Sequence, residues 1–195
     1  NARKKAVWFH GENLWWLFRT RDFIPEYDKI YCVSEPVRKQ VIARFPELAD
    51  RTEVLLNFID IKQVQRRSEE LLSDPQYTGE LKFLTVGRAS EEKGYDIAVQ
   101  ITAELKKRGL CFKWFIIGDG RDLNKLRTMA KEYQVEQEII FLGMRENPAP
   151  YVKSCDLYLQ PSRNEGYPIT IVEARSLQKV IIASDIPSMR EQIRD

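Results

Sequence analysis

Histidine is nearly absent from this chain. Its 195 residues include one, His10. That excludes a metal site built on two histidines and leaves any imidazole chemistry to a single residue. No Asp-x-Asp occurs either, so the usual carboxylate pair for a nucleotide-bound metal is missing. The three cysteines, Cys32, Cys111 and Cys155, are far apart and form no Cys-x-x-Cys. This pattern argues against structural zinc and for reduced thiols, as in a cytoplasmic protein. No apolar run approaches the ~18 residues of a membrane-spanning helix. The net charge is only +2, which argues against a nucleic-acid binder driven by bulk charge. Fixed-period repeats, low-complexity tracts and a recognisable signal peptide are absent as well.

What is present is a core-forming chain, 43% hydrophobic, long enough for one or two domains. Short apolar runs alternate with helical patterns. Ala6–Phe9, Asp28–Val33 and Glu53–Leu56 read as strands, with a helix from Ser34-Glu35-Pro36 to about Ala43. The charged stretch 61–80 reads as a helical turn or two and a linker. A second series follows, with strands at Lys82–Val86, Phe112–Ile117, Ile139–Leu142, Asp156–Gln160 and Val180–Ala183. Between them lie helices over Gly94–Arg108, Arg121–Gln134 and Pro150–Lys153, and one containing Glu173. Ile97, Ile101 and Leu105 give one helix its apolar face. Leu123, Leu126, Met129, Ala130 and Tyr133 give another, and Ile169, Val172 and Leu177 a third. Alternation of this kind implies an α/β class with mostly parallel, doubly wound sheets.

The most informative stretch is Gln160-Pro-Ser-Arg-Asn-Glu-Gly-Tyr-Pro-Ile-Thr-Ile-Val-Glu-Ala174. A strand ends at Gln160, a loop carries Glu165 and Gly166, and Pro168 suits the first turn of a helix. Such a turn offers free N–H groups and a positive dipole end to a phosphate. Glu173, on the helix, is placed to accept hydrogen bonds from a vicinal diol such as a ribose. An ordinary helix with an acidic first turn accounts for the same spacing equally well.

Other loops follow strands directly. Val86-Gly-Arg-Ala-Ser-Glu-Glu-Lys-Gly94 puts Arg88 and Lys93 where two cations can neutralise a diphosphate, or pair with Glu91 and Glu92. Ile116-Ile-Gly-Asp-Gly-Arg121 fails as a dinucleotide fingerprint, because Leu123 stands at the third glycine position. It reads first as a tight turn around Gly118. Asn13–Phe23 mixes tryptophan and arginine, suited to packing in the domain or to a membrane surface.

Taken in order, these motifs resemble retaining GT-B glycosyltransferases of the family-4 type, over about Lys5 to Ile193. Glu165 and Glu173 match the paired glutamates, and Gly87–Gly94 matches the Gly-Arg-x-x-x-x-Lys-Gly segment. A lone histidine at a strand end such as His10 is ordinarily structural, yet Trp8-Phe-His-Gly11 resembles the segment whose histidine lines the cleft near the donor sugar and the incoming acceptor. Val33-Ser-Glu35 and Asn57-Phe-Ile-Asp60 match signposts of packing and hinge. The resemblance implies that Arg88 and Lys93 hold a nucleotide diphosphate without a metal. Glu165 would position the transferred sugar and Glu173 the ribose, with Gly166, Tyr167, Pro168 and Gly118 beside the nucleotide. Phe141-Leu-Gly-Met-Arg145 resembles the base-reading segment, so Met144 and Arg145 are assigned to the base. Arg145 stands where an aliphatic residue is usual.

The implied organisation is the end of a first Rossmann-like domain (1–60), a linker (61–80) and most of a nucleotide-sugar-binding domain (81–195). The implied domains extend beyond both ends of the chain. The implied donor is a nucleotide-sugar, a UDP-sugar ahead of a GDP-sugar, with no separate cofactor. The implied acceptor is a glycan or lipid-linked saccharide, at the cytoplasmic face of a membrane, in cell-surface polysaccharide synthesis. Two alternatives stand beside this: a nucleotide-binding module without catalysis, and a nicotinamide dehydrogenase, against which Leu123 speaks.

Overall fold

The computed structural model describes residues 4–11 and 23–193. The tryptophan- and arginine-rich stretch read at Asn13–Phe23 lies outside the described residues except for Phe23. Contacts divide the chain into two compact units. The first comprises Asn1–Phe58, Asn164–Ile169 and Asp185–Asp195, the second Ile59–Arg163 and Thr170–Ser184.

In the first unit, β1 (Ala6–Phe9), β2 (Lys29–Cys32) and β3 (Thr52–Val54) form a parallel sheet in that order. Ser34 caps α1 (Glu35–Arg44), its hydroxyl accepting from the Val37 N–H, and Pro36 occupies the first turn. Val37 and Val41 bury one face of α1 with Phe9, Ile30, Cys32 and Leu48. Burial raises the thiol pKa of Cys32 to about 12.

The second unit carries β4 (Lys82–Val86), β5 (Lys113–Ile117), β6 (Ile139–Gly143), β7 (Leu157–Gln160) and β8 (Val180–Ala183). Their spatial order is β6-β5-β4-β7-β8, and every neighbouring pair is parallel. The helices are α2 (Ile61–Ser68), α3 (Tyr95–Lys107), α4 (Leu123–Glu132), α5 (Ala149–Ser154) and α6 (Ile169–Ser176). The first residue of α6 is grouped with the first unit. The doubly wound α/β reading therefore holds strand by strand. Asp60 caps α2 by accepting from the Gln63 N–H, and α2 packs on α5. Part of the 61–80 stretch is thus packed helix.

Three helix faces differ from the spacing. In α3 the buried positions are Tyr95, Ala98, Val99, Thr102 and Ala103, while Ile101 is exposed. Small residues bring α3 close to the sheet. Ile97, Ile101 and Leu105 instead line an apolar groove shared with Leu157, Leu159 and Ile182. In α6 the buried residues are Ile171 and Ala174, and Ile169 is exposed. In α4, Leu123, Leu126 and Ala130 are buried, but Tyr133 lies past the last turn and is exposed. A further short helix, α7 (Pro187–Gln192), has no counterpart in the periodicity. It packs on α1, where the Glu191 carboxylate accepts from the Glu35 N–H. An anion suits that helix terminus.

Candidate functional site

The chain runs β4, β5, β6 in one direction across the second sheet, then returns to place β7 on the other side of β4. The strand order reverses between β4 and β7. In open parallel sheets, ligands bind at the carboxyl ends of strands beside such a reversal. The loop after β4 carries Arg88 and Lys93, and the loop after β7 leads to Glu165.

A buried polar chain supports this edge. Trp114 Nε1 donates to Thr85 Oγ1 at 2.9 Å, and Thr85 Oγ1 donates to the Leu159 carbonyl at 2.6 Å. Gln160 Nε2 donates to Ser162 Oγ at 2.9 Å. Gln160 and Ser162 are both buried. Side chains satisfied in this way hold the start of the post-β7 loop in place.

The loops after β4 and β5 meet backbone to backbone. The Gly87 N–H donates to the Ile117 carbonyl and the Ala89 N–H to the Asp119 carbonyl, both at 2.9 Å. A Cβ at Gly118 (φ +141°) would lie 1.9 Å from the Gly87 carbonyl oxygen, and one at Gly120 2.3 Å from that of Ala89. The Gly-Asp-Gly turn thus permits a close approach that no side chain would allow. Arg88 is exposed at this edge. The Lys93 side chain runs back over Gly87, its Cδ and Cε 3.9 Å from where a Gly87 Cβ would stand.

Residues 163–165 take the chain out of the second unit into the first. There the Glu165–Gly166 turn lies against His10. A Cβ at Gly166 would stand 2.1 Å from the His10 carbonyl oxygen. Glu165 is 8% exposed. Tyr167 packs on the first core, and its carbonyl accepts from Asn57 Nδ2 at 3.3 Å. The first unit therefore brings His10, Glu165, Gly166 and Tyr167 together. The second brings together Arg88, Lys93 and Gly118. Pro168 is buried immediately before α6.

Glu173 lies on α6, half-buried. Desolvation raises its pKa above the ordinary glutamate value, and Arg67 on α2 opposes the rise. A carboxylate with few internal partners is suited to external hydroxyls. Met144 is 77% exposed just after β6. Arg145 beside it is tied to Asp74 and Tyr151. Its Nη2 donates to Asp74 Oδ2 at 2.8 Å, and its Nε reaches Asp74 Oδ2 and the Tyr151 hydroxyl at 3.1 Å. Its side chain is thus engaged within the protein. Sequence spacing showed nothing of Asp74 or Tyr151 as its partners. Among the described residues, no group of three or more His, Cys, Asp or Glu side chains could hold a metal ion. Nor is any helix among the described residues long and apolar enough to cross a membrane.

Two parallel sheets with helices, the second wound in the order above, make this an α/β chain with the fold of GT-B glycosyltransferases. Similarity to solved structures agrees. A UDP complex of Anabaena Alr3699/HepE superposes with a TM-score of 0.83 at 18% identity, covering 99% of this chain and 56% of that one. Residues 60–195 match the family Glycosyl transferases group 1, and the chain belongs to it. An uncharacterized glycosyltransferase of Methanocaldococcus jannaschii is 29% identical over 82% of this chain and 40% of its own length. A Campylobacter jejuni enzyme is 24% identical over 83% of this chain and 42% of its own. That enzyme is N-acetylgalactosamine-N,N'-diacetylbacillosaminyl-diphospho-undecaprenol 4-alpha-N-acetylgalactosaminyltransferase. The chain thus spans less than half the length of these curated relatives.

Proposed function

We propose that this chain carries the donor site of a retaining glycosyltransferase that moves a hexose or N-acetylhexosamine from a UDP-sugar to a saccharide acceptor. The observation that supports it most is the reversal of strand order between β4 and β7, with Arg88 and Lys93 on one loop there and the path to Glu165 on the other. Arg88 and Lys93 stabilise the departing diphosphate by charge-assisted contacts that strengthen as negative charge develops. Glu173 accepts the ribose hydroxyls. The exposed Met144 and the Arg145 backbone face the base. Glu165 and His10 position the transferred sugar, whose configuration is retained. The Campylobacter relative's name supports a lipid-linked saccharide as acceptor, in glycolipid or cell-surface polysaccharide synthesis. That acceptor in turn favours work at the cytoplasmic face of a membrane.

The test is a thermal-shift series with UDP, GDP, ADP and NAD, each with and without a chelator. A nucleotide at a hundred times its dissociation constant stabilises by about 2.7 kcal/mol. For a chain this size that is a rise of several degrees, at about 2–4 °C per kcal/mol. A shift with UDP that the chelator leaves unchanged supports the reading. A shift with NAD alone, or a UDP shift abolished by the chelator, overturns it. Sugar transfer by the protein separates a transferase from a nucleotide-binding module.

A further inference from the structure

Arg163 sits inside the paired-glutamate stretch, yet no role in the donor site has been given to it. Its backbone N–H donates to the Glu92 carbonyl at 2.8 Å. Its Nη1 donates to the Glu91 carbonyl at 3.1 Å. The guanidinium fork closes on Asp96, Nη1 to Oδ1 and Nη2 to Oδ2, both at 2.6 Å. One residue of the post-β7 loop therefore grips the turn Glu91–Lys93 and the first turn of α3 at four points. Beside it, Gly94 (φ +66°) packs so closely on the Pro161 carbonyl that a Cβ would stand 2.1 Å from its oxygen.

An exposed ion pair would ordinarily contribute little, and Arg163 is 41% exposed. The geometry differs from a bare pair in two ways. The contact is bidentate, which fixes orientation as well as charge. It also satisfies carbonyls at the edge of the turn whose last residue is Lys93, so the turn cannot shift without losing them. The tie joins the two loops that flank the reversal of strand order.

We propose that Arg163 is a positioning residue: it locks the Glu91–Lys93 turn to the post-β7 loop and so holds Lys93 in place for the diphosphate of the donor. The consequence for the diphosphate rests on the donor-site reading above; the tie itself does not. Loss of the fork loosens the turn and weakens the phosphate end of the ligand, while the nucleoside end is untouched. Lysine lacks the planar fork, so Arg163→Lys restores little.

The experiment compares the protein with Arg163→Gln, Arg163→Lys and Asp96→Asn, by amide hydrogen exchange and by titration with UDP and with uridine. With global stability matched by denaturant melts, the Lys93, Gly94 and Arg163 amides should exchange at least about tenfold faster in Arg163→Gln. UDP affinity should fall about ten- to hundredfold, the scale of one charged hydrogen bond, while uridine affinity stays within about twofold. Asp96→Asn should follow in the same direction. Unchanged exchange in Arg163→Gln overturns the tie. Faster exchange with equal losses for UDP and uridine overturns the positioning role and leaves general loosening. If the unaltered protein binds neither UDP nor uridine, the donor reading fails, and the exchange rates still decide the tie.

Discussion

Replacing Gly118 by alanine should cost far more than a glycine-to-alanine change in an ordinary loop. The new Cβ would stand 1.9 Å from the Gly87 carbonyl oxygen, where ordinary contact begins at 3.4 Å. Both partners are backbone, so no side chain can turn away. The loops after β4 and β5 must part, and two hydrogen bonds join them there: Gly87 N–H to Ile117 and Ala89 N–H to Asp119, each 2.9 Å. Each is worth about 1 kcal/mol. The φ of +141° adds backbone strain of about 1–3 kcal/mol for any residue with a Cβ. The expected destabilisation is about 3–5 kcal/mol, or roughly 10 °C in Tm for a chain of this size. Gly109→Ala is the control. Its φ is +78°, but nothing lies within 4 Å of its Cβ. Only the strain term applies, about 1–2 kcal/mol. Urea melts of both variants make the measurement. If Gly118→Ala lies within about 1 kcal/mol of Gly109→Ala, the close approach is not what glycine serves at 118, and the argument is wrong.

Other outcomes follow from the same structure. Folding raises the Glu173 pKa, so the stability it contributes is present below its ordinary value of 4.5 and is lost as pH rises through the folded value. Glu173→Gln should therefore raise Tm at pH 8, while weakening UDP binding. In the unaltered protein, UDP affinity should fall as pH drops through that raised value, followed by calorimetry. Asp74 has the opposite sign. Burial disfavours its charge, but Arg145, the Gln76 N–H and Tyr151 hold its pKa below 3.8. Its contribution is present above that pH and is lost in acid as pH falls through the folded value. Asp74→Ala should lower stability at pH 7 by about 1–3 kcal/mol, read by urea denaturation, because Arg145 loses its charged partner. Of the three thiols, Cys111 is exposed, whereas burial pushes Cys32 and Cys155 up to about 12. Thiol titration of the native protein should show one fast group, and three after denaturation. Two or more fast groups in the native state would contradict the burial.

Much of this fold is legible in the chain itself. Short, mostly apolar runs mark the strands, so Lys82–Val86 and Val180–Ala183 are found at their observed bounds, although Val180 and Ile182 on the edge strand are exposed. Ser34 announces the helix it caps, whereas Asp60, read as part of a hinge signpost, turns out to cap α2. Helix faces are less legible. A helix close to a sheet buries small residues such as Ala98 and Ala103, and a count of large apolar residues picks Ile97, Ile101 and Leu105 instead. Six-residue α7 is too short to show a period, and only Pro187 hints at it. The motif residues could be named from the sequence, but their partners could not. Arg163 meets Asp96 across 67 positions and Arg145 meets Asp74 across 71. Such pairs are set by the order in which strands join the sheet. Grouping of the Glu165 turn with His10 arises in the same way, since Asn164 lies 154 positions after His10.

The most direct test of the donor site is a calorimetric titration of UDP into the protein and into Arg88→Ala and Glu173→Ala. The account predicts measurable binding that weakens at least about tenfold in each variant, on the scale of a lost charged hydrogen bond. Binding that both substitutions leave unchanged, or no binding by the unaltered protein, would contradict it.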